Sequence, residues 1–179
     1  MKMDYLITIL AGTGILFGTA RLIQSATKGT APRTGNLPAA VSAPSPAERG
    51  RYLVRISGCN DCHTPGFMAL GEKVPEREWL TGVPVGWRGP WGTSYASNLR
   101  HHAAAWPDAA AWTAMVKSRE GLPPMPWPSL HAMSDGDLQA IHAYIRSLEV
   151  SGDVMPAPVP PDQTPVTPWL NLQPVLPPP

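Results

Sequence analysis

The chain is short of cysteine, phenylalanine and charge. Two cysteines in 179 residues cannot furnish the four ligands of a structural zinc site. Charged residues make up 15% of the sequence and the formal net charge is +1, which gives no support to a nucleic-acid or polybasic membrane-binding role. Nothing beside the cysteines reads as a strand, so the strand-to-helix junction that a thioredoxin-like dithiol needs is missing. Against these shortages stand 23 prolines, well above ordinary usage and placed mostly around or outside the helical stretches. Seven tryptophans accompany two phenylalanines. Flat indole rings suit packing against something large and flat, and a small core uses them as well.

The two cysteines fall in Cys59-Asn60-Asp61-Cys62-His63-Thr64. C-x-x-C followed at once by His is the attachment signal for a c-type haem. The spacer lets one helical turn present both sulfurs to one porphyrin edge, where the thiols add across the vinyl groups. His63 follows directly, so its imidazole can reach the iron as proximal ligand. The chemistry implied is one covalently bound haem c. Its attachment outside the bacterial cytoplasmic membrane would put the haem-bearing part in the periplasm, with the chain on the bacterial inner membrane.

Residues 1–26 hold an apolar run from Tyr5 to Ala20, about 24 Å as a helix against a bilayer core of roughly 30 Å. Leu22 and Ile23 lengthen it if Arg21 snorkels. It reads as an uncleaved signal anchor, a transmembrane helix tying the chain to the membrane, with a cleaved signal peptide ending at Gly18-Thr19-Ala20 as the alternative. Residues 27–44 are aperiodic and rich in small residues, a flexible linker with a reach of roughly 23 Å.

The folded domain is expected over residues 45–150. Ser45-Pro46-Ala47-Glu48 is a capping box with Pro at the first helical position, opening a helix to about Ile56. Gly50 inside it costs about 1 kcal/mol against Ala, which points to a close helix crossing. Thr64 to Leu99 reads as a long loop, of the kind that wraps a ligand. Trp79, Trp87, Trp91 and Tyr95 can cover a haem, and Ser94, Ser97 and Asn98, like the Trp indole nitrogens, can donate to a propionate. A second helix starts near Pro107-Asp108 and runs to about Arg119, with Trp112, Met115 and Val116 at helical spacing. Leu122 to Pro128 is a stiff extended loop. Ser134 caps a last helix to about Leu148, with Leu138, Ile141, Ile145 and Leu148 as its buried stripe and Tyr144 the aromatic expected against Gly50. Residues 151–179 are proline-rich without an apolar period. They form either a disordered tail or a segment that wraps a partner in polyproline conformation.

The sixth iron position decides function. Met68 lies too near His63 in sequence, Met115 reads as core, and Met133 directly precedes a helix cap. Met125 sits between prolines that fix its backbone, so its thioether can be held at low entropic cost. The metal ligands expected are therefore His63 and Met125. His101, His102, His131 and His142 are rivals, and bis-histidine ligation stays open.

The stretches C-N-D-C-H-T-P, G-P-W-G-T-S-Y-A-S-N-L, P-P-M-P-W and S-D-G-D-L-Q-A-I-H-A-Y-I-R-S-L together resemble a single-haem class I cytochrome c domain. They are most similar to the cytochrome subunits serving bacterial membrane-bound alcohol, aldehyde and related dehydrogenases. The resemblance covers about Ser45 to Val150 and implies an all-α class I cytochrome c fold of three to five helices; the expected N-terminal membrane helix and irregular proline-rich C-terminal tail lie outside it. It implies thioethers at Cys59 and Cys62 and iron ligands His63 and Met125, beside which Trp91, Tyr95 and Asn98 of the loop are expected to border the cofactor. It also suggests a backbone carbonyl, that of Pro90, on the ring N–H of His63. Arg100-His101-His102-Ala103 departs from the Thr-Pro-Asp and glycines of similar domains. The implied role is a membrane-tethered periplasmic electron carrier, not itself an enzyme. It would pass single electrons from a dehydrogenase or respiratory complex toward a terminal acceptor such as an oxidase, with that oxidoreductase complex as partner and no nucleic acid. The alternative is a haem-based sensor or ligand-binding protein with a labile distal ligand.

Overall fold

Ser45 opens the first helix as its sequence dictates. The computed structural model describes residues 43–174. Within them α1 spans Pro46–Ile56, with the Ser45 hydroxyl accepting from the Glu48 amide at 3.2 Å and the Glu48 carboxylate accepting from the Ser45 amide at 2.7 Å. The expected membrane anchor, nearly all of the linker, and residues 175–179 lie outside the described residues. Among the described residues no helix is long and apolar enough to cross a membrane.

Short helices follow: α2 at Cys59–His63 and α3 at Phe67–Leu70, then 3-10 turns at Gly71–Lys73 and Glu76–Glu78. After two strands come α4 at Leu99–Ala105, capped by Asn98, and α5 at Ala109–Ser118, capped by Asp108. Next are α6 at Trp127–Ala132 and α7 at Asp135–Ser147, capped by Ser134. Leu138, Ile141 and Ile145 of α7 are buried at helical spacing, with Val54, Leu80, Trp112 and Val116 among the residues that share their core. Helices α1 and α7 cross at Gly50. A Cβ at that position would collide with the carbonyl oxygen of Ala140 and come within 2.8 Å of the Cβ of Tyr144. The helix-propensity cost of Gly50 is thus the condition for the two backbones to approach.

The fold is mixed α and β rather than all-α. β1 (Val83–Gly89) pairs antiparallel with β2 (Gly92–Ala96), and β3 (Trp169–Asn171) adds parallel to β1, giving the order β2-β1-β3. Two features of the sequence produce this departure from the expected loop and tail. Gly89 pairs with Gly92 across Pro90-Trp91, with Gly92 at φ 97°, a left-handed conformation that glycine adopts freely. That tight turn converts a proline- and glycine-rich stretch into a hairpin. The proline-rich segment, in turn, runs along its own domain. Thr93 and Val159 exchange backbone hydrogen bonds at 2.7 and 2.9 Å, and the Gly86 amide donates to the Pro168 carbonyl at 2.8 Å. Proline cannot donate, but its carbonyl accepts, and Arg88 uses this by donating to the carbonyls of Pro161 at 3.1 Å and Gln163 at 2.8 Å.

Candidate functional site

Gly58, at φ 67°, turns the chain sharply from α1 into α2, so the Cys59–His63 turn starts almost where α1 ends. Three hydrogen bonds then pin that turn to the following segment. The Thr64 hydroxyl donates to the Asn60 side-chain oxygen at 2.7 Å and accepts from the Leu80 amide at 2.8 Å, and the Gly82 amide donates to the His63 carbonyl at 2.8 Å. Asn60, Thr64 and Leu80 are all fully buried, so the turn is held from inside the core.

Cys59, Cys62 and His63 face a cavity of about 560 Å³, a size usual for cofactor sites. Leu138, Ile141 and Ile145 of α7 and Val116 of α5 give it an apolar wall. The Nδ1 of His63 lies 2.7 Å from the Ser97 carbonyl oxygen. A carbonyl only accepts, so Nδ1 carries the proton and Nε2 keeps its lone pair for a metal. The carbonyl is that of Ser97, not Pro90, because the hairpin brings the end of β2 rather than its turn to the histidine. Burial lowers the His63 pKa, opposed by the Ser97 hydrogen bond, and this keeps the ring neutral as a ligand requires.

The cysteines point the same way. Burial pushes the Cys59 thiol up to about 11, and the Cys62 thiol is raised too, chiefly by burial. A dithiol redox centre needs a thiol with a depressed pKa, and this pair has the opposite. Both are free of a disulfide.

Met125 lines the same cavity, in the bend before α6. Met115, Met133 and Met155 line it as well, whereas Met68 is 69% exposed and does not. Tyr95 and Asn98 reach the cavity; Trp91 does not. The indole nitrogen of Trp91 donates to the Trp87 carbonyl at 3.3 Å and its ring fills the space left by the missing side chain of Gly89. Trp87, two residues from Gly89 on β1, faces the cavity instead. Trp79 is buried in the core, its indole nitrogen donating to the Val74 carbonyl at 3.0 Å.

Two of the three expected serine and asparagine propionate donors are otherwise engaged. Asn98 caps α4 through its oxygen and spends its amide on the carbonyls of Ser151 at 2.8 Å and Asp153 at 3.2 Å. The Ser94 hydroxyl is taken by the Pro123 carbonyl, and Ser97 is exposed, contributing only its carbonyl. Beside Asn98, the Arg100 guanidinium is buried and donates to the carbonyls of Glu76, Arg77, Trp79 and Glu149. His101 meets the Gly152 carbonyl at 2.8 Å. The unusual Asn98–His101 run is therefore a clamp on the segment after α7. That segment supplies Val154, Met155, Pro156 and Pro158 to the cavity wall. No local sequence signal marks this, since the contacts are to backbone carbonyls far along the chain. His131 and His142 hold the Arg119 and Trp106 carbonyls at 3.0 and 2.8 Å.

The donor set fits a haem c: two adjacent thiols, a buried imidazole with its second nitrogen free, a thioether on the same cavity, and apolar walls for a flat macrocycle. Comparison with models of protein families, with curated proteins and with solved structures finds no match to this chain.

Proposed function

We propose that the chain is a membrane-tethered periplasmic c-type cytochrome. It would carry single electrons from a dehydrogenase or respiratory complex toward an acceptor such as an oxidase. The observation that carries this reading is the His63 site. A buried imidazole directly follows C-x-x-C, its Nδ1 is committed to the Ser97 carbonyl, and its free nitrogen and both thiols border one apolar cavity. Cys59 and Cys62 would hold the macrocycle, and His63 and Met125 its iron. Bound there, haem iron supplies a one-electron couple, and a thioether ligand raises its potential.

The residues of this chain do the rest. Ser97 fixes the imidazole tautomer and ring orientation. Trp87, the α7 stripe and the segment at 154–158 would give the macrocycle apolar surface to pack against. The near-zero net charge gives little long-range steering, so encounter with a fixed partner would rest on the tether.

The test is the mass and spectrum of the full chain expressed in a host that attaches c-type haem. Wild type should gain one haem and show the near-infrared band of methionine–ferric ligation, and Met125→Ala should lose that band while keeping the haem. A chain with no added haem overturns the proposal. A band that survives in Met125→Ala moves the ligand to another of the cavity methionines.

A further inference from the structure

The two residues read as iron ligands lie on different elements, His63 on α2 and Met125 in the bend before α6, yet β2 holds both. Just past its end, the Ser97 carbonyl fixes the His63 imidazole at 2.7 Å. Three residues earlier, the Ser94 hydroxyl donates to the carbonyl of Pro123, two residues before Met125. A serine hydroxyl has one proton to give. Its other carbonyl neighbour, that of Trp87 across the hairpin, is 3.5 Å away, too far to compete. Ser94, Ser97, His63 and Met125 all border the same cavity. The strand that carries both tethers is itself fixed. It pairs with β1 on one side, and on the other Thr93 exchanges two backbone hydrogen bonds with Val159.

The Met125 bend needs support from outside. In Leu122-Pro123-Pro124-Met125-Pro126 only Leu122 and Met125 carry an amide N–H, since proline has none. What the bend offers its surroundings is carbonyl oxygen, so the donor has to come from elsewhere. Its other hydrogen bonds are local: the Met125 carbonyl accepts from Trp127, and the Pro126 carbonyl from Ser129 and Leu130. Among the described residues, Ser94 supplies the one hydrogen bond that reaches residues 121–126 from another part of the chain. Proline rings fix φ on either side of Met125, so a hold at Pro123 is also a hold on Met125. We propose that Ser94 is a positioning residue for Met125. Its hydroxyl sets where the thioether stands relative to His63, and one strand thereby registers both ligands. Resting on the haem reading above, Ser94 is what secures the sixth iron position.

The test is imidazole binding to the ferric, full-length, haem-loaded chain, followed by loss of the near-infrared methionine band. Imidazole has to displace the thioether, so its apparent affinity rises as the hold on Met125 loosens. Ser94→Ala should bind imidazole about fivefold more tightly, the order of one neutral hydrogen bond. Ser94→Val, a good strand former, should do the same, and Ser94→Thr, which keeps the hydroxyl, should return to near the wild-type affinity. Ser147→Ala removes a hydroxyl bonded to the Tyr144 carbonyl at 2.6 Å, on a part of α7 that does not border the cavity, and should leave the affinity unchanged. In Met125→Ala no thioether competes, and there Ser94→Ala should add no further gain, with binding read from the visible haem absorption. A merely structural role would lower the denaturant midpoint and leave these affinities alone. Wild-type affinity in both Ser94→Ala and Ser94→Val, or an equal gain in the Met125→Ala background, overturns the positioning role and leaves the haem reading intact. A haem-loaded wild type without the methionine band, or one whose band survives in Met125→Ala, overturns it too, because the sixth ligand is then not Met125. A wild-type chain that takes up no haem overturns both.

Discussion

The His63 imidazole is held by the carbonyl of Ser97 at 2.7 Å, and the next residue, Asn98, holds that carbonyl's strand end in place. Asn98 is 4% exposed and works in both directions. Its oxygen accepts from the Arg100 and His101 amides, and its amide reaches the carbonyls of Ser151 and Asp153. Asn98→Ala should lower stability by about 2–3 kcal/mol, the sum of a lost helix cap and an unpaired buried acceptor. The urea midpoint of the full chain measures it. A loss below about 0.5 kcal/mol would mean that the cap and the clamp are independent of the fold.

Two glycines in helices should respond in opposite ways to the same substitution. Gly50→Ala drives a methyl into the Ala140 backbone and should cost more than about 2 kcal/mol by forcing α1 and α7 apart. Gly136→Ala meets only the Ser134 hydroxyl, at 3.9 Å, and should be neutral or stabilise by up to about 1 kcal/mol through helix propensity. Thermal unfolding of the pair separates close packing from propensity, and equal effects would sink the account of the crossing.

Glu76 should shape the acid limb of stability. One of its oxygens accepts from Arg51 and from the Tyr144 hydroxyl, each at 2.7 Å. Its pKa is lowered chiefly by the Arg51 hydrogen bond, against a smaller opposing effect of burial. A carboxyl with a folded-state pKa below its unfolded value of 4.5 contributes stability that is complete above that value. The contribution is lost as pH falls through the folded pKa. Glu76→Gln should therefore flatten the stability profile below about pH 5 and leave its shape near neutrality unchanged. Denaturant midpoints taken across that range are the check; parallel profiles for the two proteins would refute it.

Removing the C-terminal segment should be felt in the sheet. A chain ending at Val150 leaves the Gly86 and Thr93 amides without their acceptors at Pro168 and Val159. In the full chain both amides should exchange with solvent slowly, and in the truncated one they should lose most of that protection. Amide exchange followed by mass spectrometry reads this directly. Unprotected amides in the full chain would mean that the segment does not stay docked.

What could be read ahead of the structure was whatever local chemistry decides. Ser45, Asp108 and Ser134 announce helix starts because the cap and its amides lie within three residues. The α7 stripe follows from period, and Gly50 betrays a crossing because nothing local justifies its cost. The cysteines and His63 are adjacent in sequence, so their shared face is fixed by one helical turn. What could not be read depends on partners distant in the chain. The hairpin interleaves the strand formers Val83, Val85, Trp87, Thr93 and Tyr95 with proline and glycines that favour turns, and only their pairing makes the stretch two strands. Asn98 reads as a cofactor donor, and Arg88, Arg100 and His101 carry no signal of burial, until the carbonyls they bind arrive from residues 149–163. Trp87 and Trp91 differ in role because Trp87 lies on β1 and Trp91 in the turn that follows it, a distinction that exists only once the hairpin is formed.

The segment at 154–158 is one wall of the cavity, and residues 149–153 just before it are held by Asn98, Arg100 and His101. The same Asn98 caps α4 and stands one residue from the carbonyl that orients His63. One short run of residues therefore ties together a helix start, the imidazole and a wall of the cavity, so a change that loosens the run is felt at all three.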